Sequence, residues 1–120
     1  MPAVTIHNLQ QALWVLAHGN DVELVAPAYA VRILGAGFFA EIANQIGVPI
    51  LIDCGDWHIE ALNAIDLRCP AIRAACRPDI QGQLLSLCAQ TGLNLTADLP
   101  SPLIKLDWDD EEAVILTKIG

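Results

Sequence analysis

The sequence predicts an α/β domain, a three-layer sandwich around a mainly parallel sheet of five to six strands. Short β-branched runs alternate with stretches of helical periodicity ten or more residues long, the order that parallel pairing with right-handed crossovers requires. The run Pro49-Ile50-Leu51-Ile52-Asp53-Cys54-Gly55-Asp56 is apolar until it stops in an acid, a thiol, a glycine and another acid, as a buried central strand delivering polar groups to one sheet edge would be. The chain has 120 residues, 54% hydrophobic and 17% charged, which fits one domain that buries roughly two-thirds of its unfolded surface. The same alternation also describes half of a (βα) barrel, which would need a partner subunit to close it.

The first strand is Val4-Thr5-Ile6-His7. Asn8, with Gln11 three residues on, starts a helix whose apolar positions are Leu9, Ala12, Leu13, Leu16 and Ala17, and His18-Gly19 end it. Val22-Glu23-Leu24-Val25-Ala26 is the second strand, Glu23 marking an outer position and Pro27 a stop. From Ala28 to Ile46 the pattern is helical through Val31, Leu34, Phe38, Ile42 and Ile46, and Gly35 with Gly37 divides it into two pieces or kinks it. Gly47 stops this stretch before the central strand. Asp56 then caps a helix with Ile59, Leu62 and Ile65 inward. Ala71-Ile72-Arg73-Ala74-Ala75-Cys76 is the fourth strand; Pro78 opens a helix bearing Ile80, Leu84, Leu87 and Cys88, and Gly92 closes it. Leu93-Asn94-Leu95 and Leu103-Ile104-Lys105-Leu106 complete the strands. Residues 109–119 read two ways: the acids Asp109 to Glu112 as a helix start, the β-branched Val114 to Thr117 as a hairpin strand.

Net charge is −8, from 6 Lys and Arg against 14 Asp and Glu, which repels phosphates and argues against a nucleic-acid partner. Glu23, Arg32, Glu41 and Asp53 interrupt every apolar stretch before the ~18 residues a membrane span needs, and the start lacks a basic segment followed by an apolar one. A cytoplasmic protein with no membrane partner is expected. Cys54, Cys69, Cys76 and Cys88 show no close Cys-x-x-Cys spacing and read as reduced thiols. No cofactor is expected, since Leu34-Gly35-Ala36-Gly37-Phe38 lacks the third glycine and the Lys-Ser/Thr of phosphate-binding loops. No metal is expected either: His7, Asp53, Asp56 and His58 are loosely spaced on unaligned elements. The apolar surplus points to a homo-oligomer, with Trp14 an interface or half-buried surface residue.

In open parallel sheets ligands bind beyond the carboxyl ends of the strands, where strand order reverses. That rule brings His7, Asp53, Cys54, Cys76 and Arg77 to one edge, with Asp56 and His58 just beyond. At the end of an apolar strand the Asp53 carboxylate needs either a partner, His7 or Arg77, or the backbone amides of an Asp-x-Gly turn in which Gly55 is left-handed. Cys54 gains thiolate character from the following helix and from protonated His58, while Asp53 and Asp56 oppose it; the simpler reading is a small buried apolar residue. Arg73, inside an apolar strand, lies near an edge or pairs with a neighbour's acid. The leading functional reading is an oligomeric module binding a small molecule at the strand carboxyl ends. The alternatives are an enzyme or sulfur carrier using Cys54 with His58 as base, and an interaction protein without a ligand.

The order of His7 after the first strand, Ala26-Pro27 after the second, Gly35-Ala36-Gly37-Phe38-Phe39 and Asp53-Cys54-Gly55-Asp56 resembles a group of small uncharacterised bacterial α/β proteins. The likeness covers about the first two-thirds of the chain as a pattern of elements. It implies a fold and a preferred edge, and no activity. Those proteins often continue Asp-Cys-Gly-Asp with Pro-Gly, where this chain has Trp57-His58-Ile59.

Overall fold

In the computed structural model, which describes residues 2–19 and 21–120, twelve elements follow one another. They are β1 (Ala3–Thr5), α1 (Leu9–His18), β2 (Glu23–Ala26), α2 (Ala28–Leu34), α3 (Ala36–Ile46), β3 (Ile50–Asp53), α4 (His58–Asp66), β4 (Ala71–Arg73), α5 (Pro78–Thr91), β5 (Asn94–Thr96), β6 (Leu103–Ile104) and α6 (Glu112–Ile119). The strands form one all-parallel sheet in the order β5-β4-β3-β2-β1-β6. The expected α/β class, with a mainly parallel sheet of five to six strands, is therefore present, the sheet being six-stranded and all-parallel.

From β1 to β5 each strand is added on the same side of its predecessor, and right-handed crossovers then place the connecting helices on one face. Packing agrees. Val4, Leu24, Ile50, Ile52 and Ile72 join one cluster with Val15 of α1, Val31 of α2, Phe39 of α3, Ile65 of α4, Leu84 of α5 and Ile115 of α6. The alternate strand residues Ala3, Val25 and Leu51 form a separate small cluster with Ala71, Leu99 and Leu103, to which no helix contributes. One face of the sheet carries the helices, as in half of a (βα) barrel; residues 97–102 lie over the other as a strap joining β5 to β6. The strap's Pro102 carbonyl accepts a bond from the Ala3 amide at 3.4 Å.

Two helices turn a different face inward from the one their apolar periodicity predicts. In α1 the buried residues are Gln11, Ala12 and Val15, and Leu13 is 45% exposed. In α4 they are Glu60, Ala61, Ala64 and Ile65, with Ile59 and Leu62 outside. Both rotations have a polar cause. Gln11 is drawn inward by partners at the sheet edge, and the Glu60 carboxylate accepts the Ala36 amide at 2.7 Å, capping α3 from the neighbouring helix. That bond closes the break at Gly35, whose φ of +89° separates α2 from α3.

Other boundaries shift less. Asn8 caps α1 as expected, its side chain accepting the Gln11 amide at 2.8 Å. Asp56 does not cap α4, which begins after Trp57 without a side-chain cap. The fourth strand ends at Arg73 rather than Cys76 and the sixth at Ile104 rather than Leu106. Residues 112–119 are helical: packing of α6 against α1 outweighs the β-branched composition. Trp14 is half-buried against the main cluster. Among the described residues no helix is long and apolar enough to cross a membrane.

Candidate functional site

Strand order reverses between β1 and β6, and at the carboxyl ends there the strap side of the sheet holds a cleft of about 360 Å³. Its polar lining is Thr5, Tyr29, Asp53, Lys105 and Asp107; Val25, Leu99, Leu103 and Leu106 supply an apolar floor. A larger hollow of about 700 Å³ lies at the opposite, amino-terminal edge around Val48, Pro49 and Pro70, where Glu41 and Arg68 are the charged lining residues. Topology favours the first of the two, because exposed strand ends and helix amino termini converge at the carboxyl edge.

Asp53 is buried, and its Oδ1 accepts the Gly55 amide at 2.9 Å and the Arg73 Nη1 at 3.1 Å. The Asp-x-Gly turn is thus present, with Gly55 at φ +57°. The charge partner is Arg73, not His7 or Arg77. The reason is register: Asp53 and Arg73 are opposed across β3 and β4 and project to the same face. Arg73 is held in turn by the Ala97 carbonyl of the strap, 2.8 Å from its Nε.

His7 is buried two residues beyond β1, bonded to α1 through Gln11 and to α2 through Tyr29. Gln11 Oε1 accepts both the His7 backbone amide and its Nδ1–H, each at 3.0 Å. The amide group of Gln11 cannot be reversed, since its Nε2 donates to the carbonyls of Asp107 at 2.8 Å and Asp110 at 3.2 Å. Nδ1 therefore carries the proton of the neutral ring, and Nε2 accepts the hydroxyl hydrogen of Tyr29. The turn supplying those carbonyls is itself pinned, as Asp110 accepts the Asp107 amide at 2.8 Å and pairs with Lys118 of α6 at 2.5 Å. Lys118 holds the Asp110 carboxyl below its ordinary range, while burial and then Asp107 push the Tyr29 phenol up. His7 and Tyr29 line a second, mostly apolar cleft of about 330 Å³ with Ile33, Leu34 and Trp108.

The other four predicted residues, and Cys54, lie apart from both clefts. Asp56 is exposed, 3.6 Å from Arg32, whose guanidinium sits 4.9 Å above the Trp57 ring. Cys76 is half-buried with its thiol toward the Asp56 carbonyl at 3.5 Å. Arg77 pairs with Asp79 at 2.9 Å, and it shares a hollow of about 300 Å³ between α4 and α5 with His58. All four cysteines are free thiols. Among the described residues no group of three or more His, Cys, Asp or Glu could hold a metal ion.

Cys54 is 4% exposed, and burial, then Glu60 and Asp53, push its thiol up to about 12. At neutral pH it carries the proton. Alkylation of Cys54 by iodoacetamide is expected to be at least tenfold slower in the native protein than in the urea-unfolded chain, read by mass spectrometry of the peptide; equal rates would contradict the burial. The linkage follows. The unfolded thiol ionises near 9.0 and the folded one only at about 12, so its contribution to stability is complete below 9 and is lost as pH rises between those values.

Tyr29, Gln11 and Lys105 escape prediction from sequence. Strand-end reasoning stops at Pro27, two residues short of Tyr29, and Gln11 reads only as half of a capping box. Lys105 reaches the edge because β6 returns beside β1, which local pattern does not reveal. Comparison with protein-family models, curated proteins and solved structures finds no match for this chain.

Proposed function

We propose that this chain is a cytoplasmic small-molecule-binding module, working as a homo-oligomer, with its ligand in the carboxyl-edge cleft between Tyr29, Asp53 and Lys105. The supporting observation is the composition of that cleft at the reversal of strand order. Its wall includes Asp53, which Arg73 holds from outside the cleft, its floor is apolar, and Lys105 has no ion-pair partner among the described residues. An unpaired cation beside an apolar floor in a chain of net charge −8 suits a small carboxylate or phosphate ester with an apolar body. Four free thiols accord with a reducing compartment. Leu62 and Leu87, both exposed and lining one hollow between α4 and α5, suit a face covered by a second copy.

The test is a ligand-observed NMR screen of small metabolic carboxylates and phosphate esters. Lys105→Ala is expected to weaken any hit about tenfold, or ~1.4 kcal/mol, without changing the fold. Equal binding by wild type and variant would remove the cleft from consideration. Sedimentation at micromolar concentration reads the oligomer, and a clean monomer would remove that part of the proposal.

A further inference from the structure

The second cleft holds a feature that binding alone does not need. Tyr29 is 55% exposed, yet its hydroxyl is committed to a buried imidazole whose tautomer is set by Gln11, itself locked by two carbonyls. The remaining lining is Asn8 and the apolar Ala30, Ile33, Leu34 and Trp108, the last 72% exposed at the rim. A phenol that donates to a fixed acceptor keeps its own oxygen lone pairs free for a hydrogen from a molecule in the cleft.

We propose that Tyr29 and His7 form a proton-transfer pair at the floor of this cleft, acting on a small, flat, mainly apolar carbon or oxygen acid. The X–H bond of the bound molecule breaks, its electron pair stays on X, and the proton goes to Tyr29 Oη. The phenolic proton passes at the same time to His7 Nε2, leaving an anion on X and an imidazolium on His7, and the reverse steps restore both. Gln11 Oε1 faces the Nδ1–H of the imidazolium throughout and acts as a positioning residue. The charged groups around the pair are Asp107, Asp110 and its partner Lys118. Trp108 offers a ring face for stacking.

Tyr29 lines both clefts, but the proton transfer needs neither Lys105 nor a ligand beside it, so the two proposals fail separately. The probe is 5-nitrobenzisoxazole, whose ring opening requires abstraction of one carbon-bound proton and which fits an aromatic, apolar cleft. Wild type is expected to open it faster than buffer alone. Tyr29→Phe should lower the rate roughly 10²-fold, and His7→Gln should lower it by a similar factor. Arg68→Ala, at the hollow on the opposite edge of the sheet, should leave the rate unchanged. Nitrogen-15 NMR of the imidazole gives a readout that needs no substrate: the neutral ring is expected to carry its proton on Nδ1. Rates in wild type no greater than in Tyr29→Phe, or a neutral ring protonated on Nε2, would overturn the proposal. Because Tyr29 is largely outside the core, its variant folds even if replacing buried His7 does not.

Discussion

A Gln11→Leu variant is expected to lose about 4 kcal/mol of unfolding free energy, read from urea denaturation, and to free the 107–110 turn from the sheet edge. Leucine fills nearly the same space, so the loss comes from the partners it strands. The His7 amide and ring lose their acceptor, and the carbonyls of Asp107 and Asp110 lose their donor, all at a side chain only 1% exposed. Each buried group left unmade costs about 1–3 kcal/mol. Gln11→Glu separates the two halves of this network: it preserves the acceptor for His7 and turns a carboxylate toward the carbonyls. A smaller loss than in Gln11→Leu, with faster amide exchange confined to residues 107–111, is the expected pattern.

Arg73→Met should cost about 3 kcal/mol, because it leaves the Asp53 carboxylate buried with only the Gly55 amide for support. The Arg73 side chain is 21% exposed, so the loss lies at the low end for a broken buried pair. Asp53→Asn keeps an oxygen for both donors and should cost less, near 1 kcal/mol. Combining Asp53→Asn with Arg73→Met should recover part of the loss, since no charge is then stranded. If the double variant were as unstable as the sum of the singles, Asp53 and Arg73 would be acting independently.

Those two sites show what local pattern could and could not reveal. Asp53 stood out because an apolar run ended on it, and Arg73 because it interrupted another; their union is a matter of register, which follows only when β3 and β4 are known to be neighbours. The strand and helix order was legible from the alternation of β-branched runs with 3.6-residue periodicity, and the Gly35 break from composition. The inward faces of α1 and α4 were not. Periodicity weighs apolar residues alone, whereas Gln11 and Glu60 turn inward for hydrogen bonds to residues up to 99 positions away. The same limit hid the cleft. Asp53 is legible at its strand end, but Lys105 and Asp107 join the edge only because the chain recrosses the sheet between Thr96 and Leu103.

The most direct measurement is an amide and side-chain chemical-shift map of the full chain, titrated with a mixture of small metabolic carboxylates and phosphate esters. Shifts centred on Thr5, Tyr29, Asp53 and Lys105, saturating with added ligand and needing about tenfold more of it in Lys105→Ala, are the predicted result. Saturating shifts centred instead on the hollow around Val48, Pro49 and Arg68, or none at all, would contradict it.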